Sequence, residues 1–409
     1  AISLLLTPMM TRVFDPNAYG AFAIINGAAV FLATFMQFSM PSMIPISQNI
    51  LAFRRLINVS LHLGTLATIA SSAIAAAWIV YVVSNDHQWS LASISYIAML
   101  PFLVVSISLQ RISQNIVIAT REFNRLAMAR VMHPVVAKPI AIAVGLLLAP
   151  SAAVILVTEA LGNIVQHIWM SKGRILNRFW TRNWSDRRKL RVTFEVTKRA
   201  SHFSVYDNFN NLINLGFISG ALMLVGAAFS TREAGFFSLA LGIVNLPVQM
   251  VSLATASLIY SRLIEVFENR NSRVLAATFR IILVFIIIGS APYTVLYFFG
   301  PKIFSIIFGI EWETSGAVAS SMAFATFLLF VFTPVQAVYR LTKRTHIGFY
   351  IDLLFTIVLL IAIAIFSGQG NFNMMVASMA WIMAVQRLLH IVTALVLCDL
   401  HDGETGLST

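Results

Sequence analysis

The sequence is poor in charge. Charged residues make up 11% of its 409 residues, hydrophobic residues make up 58%, and the mean hydropathy is +0.83. A soluble domain carries about 25% charged residues and has no means of hiding this much apolar surface from water. These values exclude a soluble protein and predict an all-α integral membrane protein.

The chain also lacks the usual signatures of an enzyme. Its single cysteine, Cys398, excludes a disulfide framework and a cysteine-based metal site. The sequence has no GxxxxGK[ST] phosphate loop and no His, Cys and Asp cluster at metal-ligand spacing. The predicted external connections are too short for a catalytic domain. We therefore expect no enzymatic activity, no catalytic residue, no metal and no cofactor.

Apolar runs separated by short polar breaks predict about twelve transmembrane helices. Their predicted bounds are 1–13, 20–46, 57–83, 91–118, 131–149, 151–170, 203–227, 234–259, 279–299, 315–338, 346–366 and 373–396. The first run is shorter than the ~20 residues that a span needs, so we expect helix one to be only partly present. A very tight turn is expected at Pro150. The aromatic residues near span ends predict interfacial anchors, namely Trp78, Tyr81, Trp89 and Trp312.

The basic residues predict the orientation. Most of the 28 Lys and Arg residues lie in alternate connections, and we assign to this set Arg54, Arg55, Arg121, Arg125, Arg130, Lys138, the segment 172–202 and two later groups. The other connections contain Arg12, Arg232 and Lys302. The positive-inside rule predicts a multi-pass protein of the cytoplasmic (inner) membrane with both termini in the cytoplasm. The net charge of +12 then reflects topology and attraction to anionic lipid headgroups, not nucleic-acid binding.

Two pairs of similar stretches indicate an internal repeat. "VFDPNAYGAF" (13–22) resembles "AFSTREAGFF" (228–237), and "QNIVIATR" (114–121) resembles "QAVYRLTK" (336–343). The matches align Phe14 with Phe229, Gly20 with Gly235, Phe22 with Phe237, Gln114 with Gln336, Thr120 with Thr342 and Arg121 with Lys343. They predict two six-helix lobes in the same orientation, residues 1–171 and 203–409, joined by a basic linker, 172–202. Chance similarity between apolar helices is the alternative.

Polar residues at membrane depth are the candidate site residues, because they are costly there and usually face a cavity. In "SVYDNFNNLINLGFISG" (204–220), a stripe on helix seven contains Asp207, Asn210, Asn211 and Asn214, and Asn208 lies beside this stripe. We expect this stripe to bind a polar cargo by hydrogen bonds. The alternative is interhelical packing through Gly216 and Gly220.

Further candidates lie on helices four, six and eleven. Arg111 and Gln114 lie on helix four, where Arg111 either binds an anionic headgroup or snorkels to the interface. Glu159 and His167 are eight residues apart and share one face of helix six. They form either a proton or cation relay, or a satisfied Glu–His or Glu–Arg pair. Asp352 is a lone acid near the cytoplasmic end of helix eleven and is expected to pair with Lys343 or Arg344.

Four stretches resemble the Wzx-type polysaccharide-export flippases of the multidrug/oligosaccharidyl-lipid/polysaccharide exporter superfamily. They are "LLTPMMTRVFDPNAYGAFAI", "YDNFNNLINL", "AGFFSLALGIVNLPVQMVSLATASLIYSRLIE" (234–265) and "IFGIEWETSGAVASSM" (307–322). The resemblance implies two lobes of six helices around a central cavity. It also implies alternating access that moves an undecaprenyl-diphosphate-linked oligosaccharide to the outer leaflet.

This resemblance implies which chemical groups the cargo needs but not which residues supply them. We therefore infer the residues from their expected burial. A diphosphate needs buried cations, for which Arg12 and Arg111 are the candidates, and a sugar needs amides. The expected partners are the polyprenyl-linked glycan, membrane lipids, and a glycan polymerase with chain-length machinery. The alternatives are an ion-coupled multidrug or metabolite antiporter of the same superfamily, a lipid II flippase, and a membrane-embedded glycan polymerase or acyltransferase.

Overall fold

The structure is a computed structural model of the chain. It describes residues 2–38, 40–47, 50–84, 91–171, 213, 219–268 and 273–404, and these ranges contain helices but no strand. Residues 1–227 and 228–409 form two compact units. The predicted linker 172–202 lies outside the described residues, so the predicted lobe bounds stay predictions.

The first unit is organised around one central helix. Its described helices are α1 (Ile2–Val13), α2 (Pro16–Met36), α3 (Ile50–Ser84), α4 (Leu91–Ala98), α5 (Leu100–Ala119), α6 (Phe123–Leu147), α7 (Ala152–Ser171) and α8 (Ser219–Ala228). A 3₁₀ helix, Met40–Ile46, follows α2. The central helix is α5, which packs against α2, α3 and α7, while α6 packs against α7 and α1.

The second unit also has a central helix. Its described helices are α9 (Thr231–Val244), α10 (Leu253–Glu268), α11 (Val274–Phe308), α12 (Glu313–Val335), α13 (Ala337–Leu341), α14 (Thr345–Gly368) and α15 (Phe372–Glu404). A π-helical segment, Val248–Ser252, precedes α10, and a 3₁₀ turn, Ile310–Trp312, precedes α12. The central helix is α12, which packs against α9, α10, α11 and α15.

The prediction of an all-α membrane protein is confirmed. Ten described helical segments are long and apolar enough to cross a membrane. They match ten of the twelve predicted spans. The other two predicted spans, 1–13 and 203–227, correspond to the short helix α1 and to a segment of which only 213 and 219–227 are described. The exact count of twelve stays a prediction.

Several predicted helix bounds are wrong, and proline explains two of them. The predicted span 20–46 begins instead at Pro16 and ends at Met36, and the two prolines of Met40–Ile46 accompany a 3₁₀ helix. The predicted span 91–118 divides at Met99, because Pro101 has no N–H with which to continue α4. The turn at Pro150 is confirmed, since α6 ends at Leu147 and α7 begins at Ala152.

The predicted span 131–149 begins eight residues too late, because α6 starts at Phe123. Lys138 lies in the middle of this membrane-spanning helix, so its assignment to a cytoplasmic connection is wrong, although the predicted span already contained it.

The two repeated stretches have the same local structure. The Asp15 side chain accepts the N–H of Ala18 at 2.8 Å and caps α2. Its sequence equivalent Ser230 accepts the N–H of Glu233 at 3.3 Å and caps α9. The first matched pair therefore marks a helix start in each unit.

The second matched pair marks a helix end in each unit. Arg121 and Lys343 both have left-handed backbones, with φ of 58° and 57°. Around Arg121, the N–H of Glu122 bonds to the Val117 carbonyl at 3.0 Å. Around Lys343, the N–H of Arg344 bonds to the Tyr339 carbonyl at 2.9 Å. Both are Schellman-type helix ends, so the repeat holds in local structure as well as in sequence.

Small residues allow the central helices to approach their neighbours. In the first unit, Ala29 and Ala33 of α2 and Ala67 of α3 pack into a buried cluster with leucines of α5 and α7. In the second unit, a Cβ atom added to Gly316 of α12 would lie 2.5 Å from the Cα of Pro301 on α11. These small residues let α5 and α12 pack closely against their neighbours at the centre of each unit.

Candidate functional site

Polar side chains link α5 and α7 along their length inside the first unit. We call this set the α5–α7 polar contacts: Ser106 with Asn163 (3.5 Å), Gln110 with Gln166 (3.4 Å) and Ser113 with His167 (2.7 Å). Positions three or four apart share one face of a helix, so each helix presents a polar stripe to the other. The residue numbers rise together along both helices, so α5 and α7 run parallel.

Gln114 extends this polar stripe by one turn. Gln110 donates from the same amide nitrogen to Gln114 at 3.3 Å and to Gln166 at 3.4 Å. Gln114 itself is half-buried. Its position is compatible with the predicted role in binding a polar cargo, which stays a prediction.

Arg111 lies on α5 within a membrane span and is half-buried. Its guanidinium donates a hydrogen bond to the hydroxyl of Thr34 on α2. That hydroxyl donates in turn to the Val30 carbonyl at 2.7 Å. Among the described residues Arg111 forms no ion pair. An arginine side chain has five N–H donors, so this one retains both charge and donors for an anion.

A second cation of the first unit was missed as a site residue. The Lys138 ammonium on α6 lies 2.7 Å from the hydroxyl of Thr7 on α1, and Lys138 is half-buried. The count of basic residues assigned Lys138 to a connection, although this residue lies inside the predicted span 131–149. The helical spacing of the residues around it, with Arg130 and His133 on the same helix, was the available signal.

Glu159 and His167 share α7 but have different partners. Glu159 lies 3.3 Å from His133 Nε2 on α6. The Nδ1 atom of His167 lies 2.7 Å from the Ser113 hydroxyl and 3.2 Å from the Leu109 carbonyl. The structure thus gives Glu159 a histidine partner on a different helix, and an ion-coupling role for Glu159 and His167 stays a prediction.

The remaining predicted site residues are one described residue on α1 and four residues of predicted helix seven. Arg12 is exposed near the end of α1, unlike the buried cation that was expected. Asp207, Asn208, Asn211 and Asn214 lie outside the described residues. The packing alternative for their helix involved Gly220, where an added Cβ atom would meet no described atom within 4 Å.

A buried polar cluster in the second unit has partners that sequence reasoning did not foresee. Asp352 on α14 is 4% exposed and contacts three residues of α15. These are Gln386 at 2.7 Å, His390 at 2.9 Å and Arg387 at 3.8 Å. We call these four residues and Tyr339 the Asp352 cluster. Lys343 and Arg344, the expected partners, are exposed.

The second unit also contains a groove of about 780 Å³ between α11, α12 and α15. Its walls include Tyr297, Phe324, Trp381 and several alanines. The hydroxyls of Ser290, Ser320 and Ser321 in its lining donate to backbone carbonyls at 2.9, 2.9 and 3.0 Å. The groove is therefore apolar in character although its lining contains hydroxyls.

Comparison with known protein families shows which family the chain belongs to. A family model described as "polysaccharide biosynthesis protein" matches residues 9–317. The chain belongs to this family. A comparison with curated protein sequences found no significant match to this chain.

Solved structures identify the fold of this family member. An inward-facing multidrug resistance MATE-family transporter of the MOP superfamily matches with a TM-score of 0.73 and 12% identity, over 98% of this chain and 95% of that chain. The lipid II flippase MurJ, in an inward closed conformation, matches with a TM-score of 0.61 and 13% identity, over 98% and 89%. A MOP-superfamily transporter from Pyrococcus furiosus matches with a TM-score of 0.51 and 12% identity, over 96% and 88%.

The fold is thus that of the MOP-superfamily transporters, as the sequence resemblance implied. The matched structures are described as a multidrug transporter and a lipid II flippase, and the prediction of a membrane protein is confirmed. The cargo is a separate question, because likeness at this level of identity concerns the fold.

Proposed function

We propose that the protein is a flippase that moves an undecaprenyl-diphosphate-linked oligosaccharide repeat unit from the cytoplasmic to the outer leaflet by alternating access. The polysaccharide biosynthesis family supports a glycan cargo. The fold shared with a lipid II flippase supports a lipid-linked one. In this proposal both termini are cytoplasmic, the lobes are residues 1–171 and 203–409, and the cargo occupies a central cavity. A glycan polymerase with chain-length machinery accepts the product.

The observation that carries the proposal is the half-buried guanidinium of Arg111, which is held by the neutral Thr34. Keeping a cation at membrane depth costs free energy, which an anionic cargo offsets. A diphosphate accepts the paired N–H bonds of a guanidinium. Lys138, bonded to the hydroxyl of Thr7, adds a second cation to the same unit.

The scarcity of acidic residues in the described spans of the first unit is compatible with an anionic cargo. The described membrane spans of this unit contain one acidic residue, Glu159, which lies 3.3 Å from His133. The sugar portion needs hydrogen-bonding amides. We assign this role to Gln114 and to the helix-seven residues Asp207, Asn208, Asn211 and Asn214, with Arg12 as an additional headgroup contact.

The test uses a strain from which the gene is deleted. Lipid-linked oligosaccharide is isolated and sorted by leaflet, with and without plasmid copies of the full-length gene. We expect single repeat units to accumulate on the cytoplasmic face and the wild-type copy to reverse this. Arg111→Ala should fail to reverse it at normal protein levels, whereas Arg111→Lys should retain part of the activity.

Arg262→Ala is the matched control, because Arg262 is exposed and its ion pair among the described residues is with Glu265 of its own helix at 3.1 Å. This copy should behave as wild type. Accumulation reversed equally by Arg111→Ala would discard Arg111 as the headgroup contact. Single units on the outer face would indicate a polymerase. No accumulation and unchanged surface glycan would overturn the flippase proposal.

The TM-score of 0.73 with a multidrug transporter favours one second candidate, an ion-coupled antiporter of the same superfamily. Its usual cationic cargo requires acids in the cavity. The cations Arg111 and Lys138 favour the flippase over this candidate. The drug susceptibility of the deletion strain separates the two candidates. If the protein is an antiporter, deletion of its gene should lower the drug concentration that inhibits growth and leave the lipid-linked oligosaccharide unchanged.

A further inference from the structure

The Asp352 cluster contains a short chain of hydrogen-bonding groups from three helices. His390 Nε2 on α15 lies 2.9 Å from the Asp352 carboxylate on α14. His390 Nδ1 lies 3.0 Å from the Tyr339 hydroxyl on α13. All three residues are buried: Asp352 is 4% exposed, His390 is 2% exposed and Tyr339 is 4% exposed. Titratable groups buried this deeply in a membrane helix bundle usually have a functional role.

The Tyr339 hydroxyl has two acceptors on the same residue. Besides His390 Nδ1, it lies 3.2 Å from the His390 backbone carbonyl. With a neutral imidazole, Nε2–H donates to Asp352 and the tyrosine hydroxyl donates to Nδ1. With an imidazolium, Nδ1–H donates to the tyrosine oxygen and the hydroxyl turns to donate to the carbonyl. The same heavy-atom positions therefore satisfy the Nε2–H, the Nδ1–H and the tyrosine O–H donors in both protonation states.

The surroundings contain groups that favour and groups that oppose an added positive charge. Gln386 at 2.7 Å and Arg387 at 3.8 Å also contact the Asp352 carboxylate, so an imidazolium at His390 would share this carboxylate with the buried Arg387. The Phe332 ring stacks on His390 with centroids 4.7 Å apart and an angle of 23° between the planes. An aromatic face attracts a cation, so the imidazolium has a carboxylate at one edge and an aromatic ring at its face.

We propose that Asp352, His390 and Tyr339 form a proton-binding site inside the second unit. His390 carries the proton, Asp352 stabilises the imidazolium, and Tyr339 reorients its hydroxyl. Because α13, α14 and α15 each contribute one group, any movement that separates Asp352 from His390 weakens proton binding. Proton occupancy and the packing of these helices are therefore linked.

The neighbouring titratable groups define the electrostatic setting of the site. Arg387 on α15 is buried, whereas Arg340 on α13 and His346 on α14 are exposed. On α15, the titratable groups two or more turns farther along the helix are Cys398, Asp399, His401 and Asp402. Helix α12 contributes the uncharged Phe332, and α11, which also packs against α15, has the exposed Arg273 and Arg280 at its start. Asp352 is therefore the acid nearest to His390 among the described residues.

The test is ¹⁵N NMR of histidine-labelled, full-length protein in lipid nanodiscs at about pH 8 and about pH 5, the range in which histidine changes charge. Nitrogen shifts distinguish the two neutral tautomers from the imidazolium, and His390→Asn assigns the signal. We expect the Nε2–H tautomer at the higher pH and the imidazolium at the lower pH. In Asp352→Asn, the imidazolium population at the lower pH should fall about tenfold or more.

Tyr339→Phe supplies a second variant that preserves the buried ring. It should also lower the imidazolium population, because Nδ1–H loses its acceptor. His346→Asn is the control and should leave the His390 signal unchanged. A His390 signal in the same state at both pH values in wild type would overturn the proposal. So would an unchanged imidazolium population in both Asp352→Asn and Tyr339→Phe. Neither result depends on the identity of the cargo.

Discussion

Arg121 and Lys343 occupy equivalent helix ends in the two units and share the same left-handed backbone, with φ of 58° and 57°. Glycine is the usual residue at such a position, because a side chain there meets the adjacent carbonyl. In this chain both positions carry a long basic side chain instead. Both lie in connections that the positive-inside rule predicts to be cytoplasmic, where basic residues are enriched.

Replacing either residue with glycine should stabilise the protein. Arg121→Gly and Lys343→Gly remove a left-handed conformation that costs about 1 kcal/mol, partly offset by greater freedom of the unfolded chain. We expect a gain of up to about 1 kcal/mol for each, measured by thermal unfolding in detergent. Arg125→Gly, at a helical position, is the control and should destabilise by about 0.5–1 kcal/mol. Destabilisation by both left-handed variants would contradict the helix-end geometry.

Gly316 should not tolerate a methyl group. In Gly316→Ala the new Cβ would lie 2.5 Å from the Cα of Pro301, and a backbone atom in a packed helix has little freedom to move. We expect a loss of about 1–3 kcal/mol or more in unfolding free energy. Gly242→Ala is the matched control, because no described atom lies within 4 Å of its added Cβ. It should be neutral or stabilising by up to about 1 kcal/mol, and equal effects of the two changes would contradict the close α11–α12 contact.

Asp402 connects the end of α15 to the start of α11. Its carboxylate accepts the N–H groups of Val274 at 2.9 Å and Leu275 at 3.0 Å. Asp402→Ala leaves both donors without this acceptor and should cost about 0.5–2 kcal/mol. Hydrogen exchange at Val274 and Leu275 should accelerate at the same time. Asp399→Ala, an exposed neighbour on α15, should change stability by less than about 0.5 kcal/mol.

The Glu159–His133 contact should appear as a coupling energy. Interhelical polar contacts in membranes average about 0.6 kcal/mol and reach about 1.7 kcal/mol. A double-mutant cycle of Glu159→Gln and His133→Asn should give a value in this range. The same cycle with His167→Asn should be additive within about 0.5 kcal/mol, because His167 has separate partners. A larger coupling with His167 than with His133 would contradict the structure.

The Thr34 hydroxyl should matter for transport through Arg111. Thr34→Val keeps the shape of the side chain but removes the acceptor of the Arg111 hydrogen bond. Because a hydrogen bond to a charged group contributes about 1.5–3 kcal/mol, we expect leaflet transfer of lipid-linked oligosaccharide to fall about tenfold or more. Thr34→Ser should restore it. Thr68→Val is the control, because that hydroxyl bonds to the Gly64 carbonyl of its own helix. Normal transfer with Thr34→Val would show that this bond does not position Arg111.

Much of the fold was predictable because hydropathy adds up locally along a span. Ten predicted spans have counterparts in the described helices, and both repeated stretches share their local structure. The errors were of another kind. Trp312 was predicted to be an interfacial anchor, but it is 1% exposed and packs edge-to-face on Phe236 with ring centroids 6.1 Å apart. Position near a span end gives depth in the membrane, but not the direction in which a side chain points.

The candidate site was predictable only in part for the same reason. Helical spacing placed Gln114 with Arg111 on helix four, and Glu159 with His167 on helix six. Their partners Thr34, His133 and Ser113 come from other helices, so they depend on helix rotation and packing. Asp352 shows this most clearly. Nearby cations in the sequence suggested Lys343 or Arg344, whereas the contacts come from Gln386, Arg387 and His390 on α15.

The sequence by itself determined that this protein lies in a membrane, that it is helical and where most of its spans are. Each of these depends on the sum of residue properties over one stretch of chain. Tertiary structure alone decided that Arg111 contacts a hydroxyl while Arg387 lies beside a carboxylate. A one-dimensional pattern does not encode which helices become neighbours, and at membrane depth the neighbour decides whether a charge is neutralised or remains for a ligand.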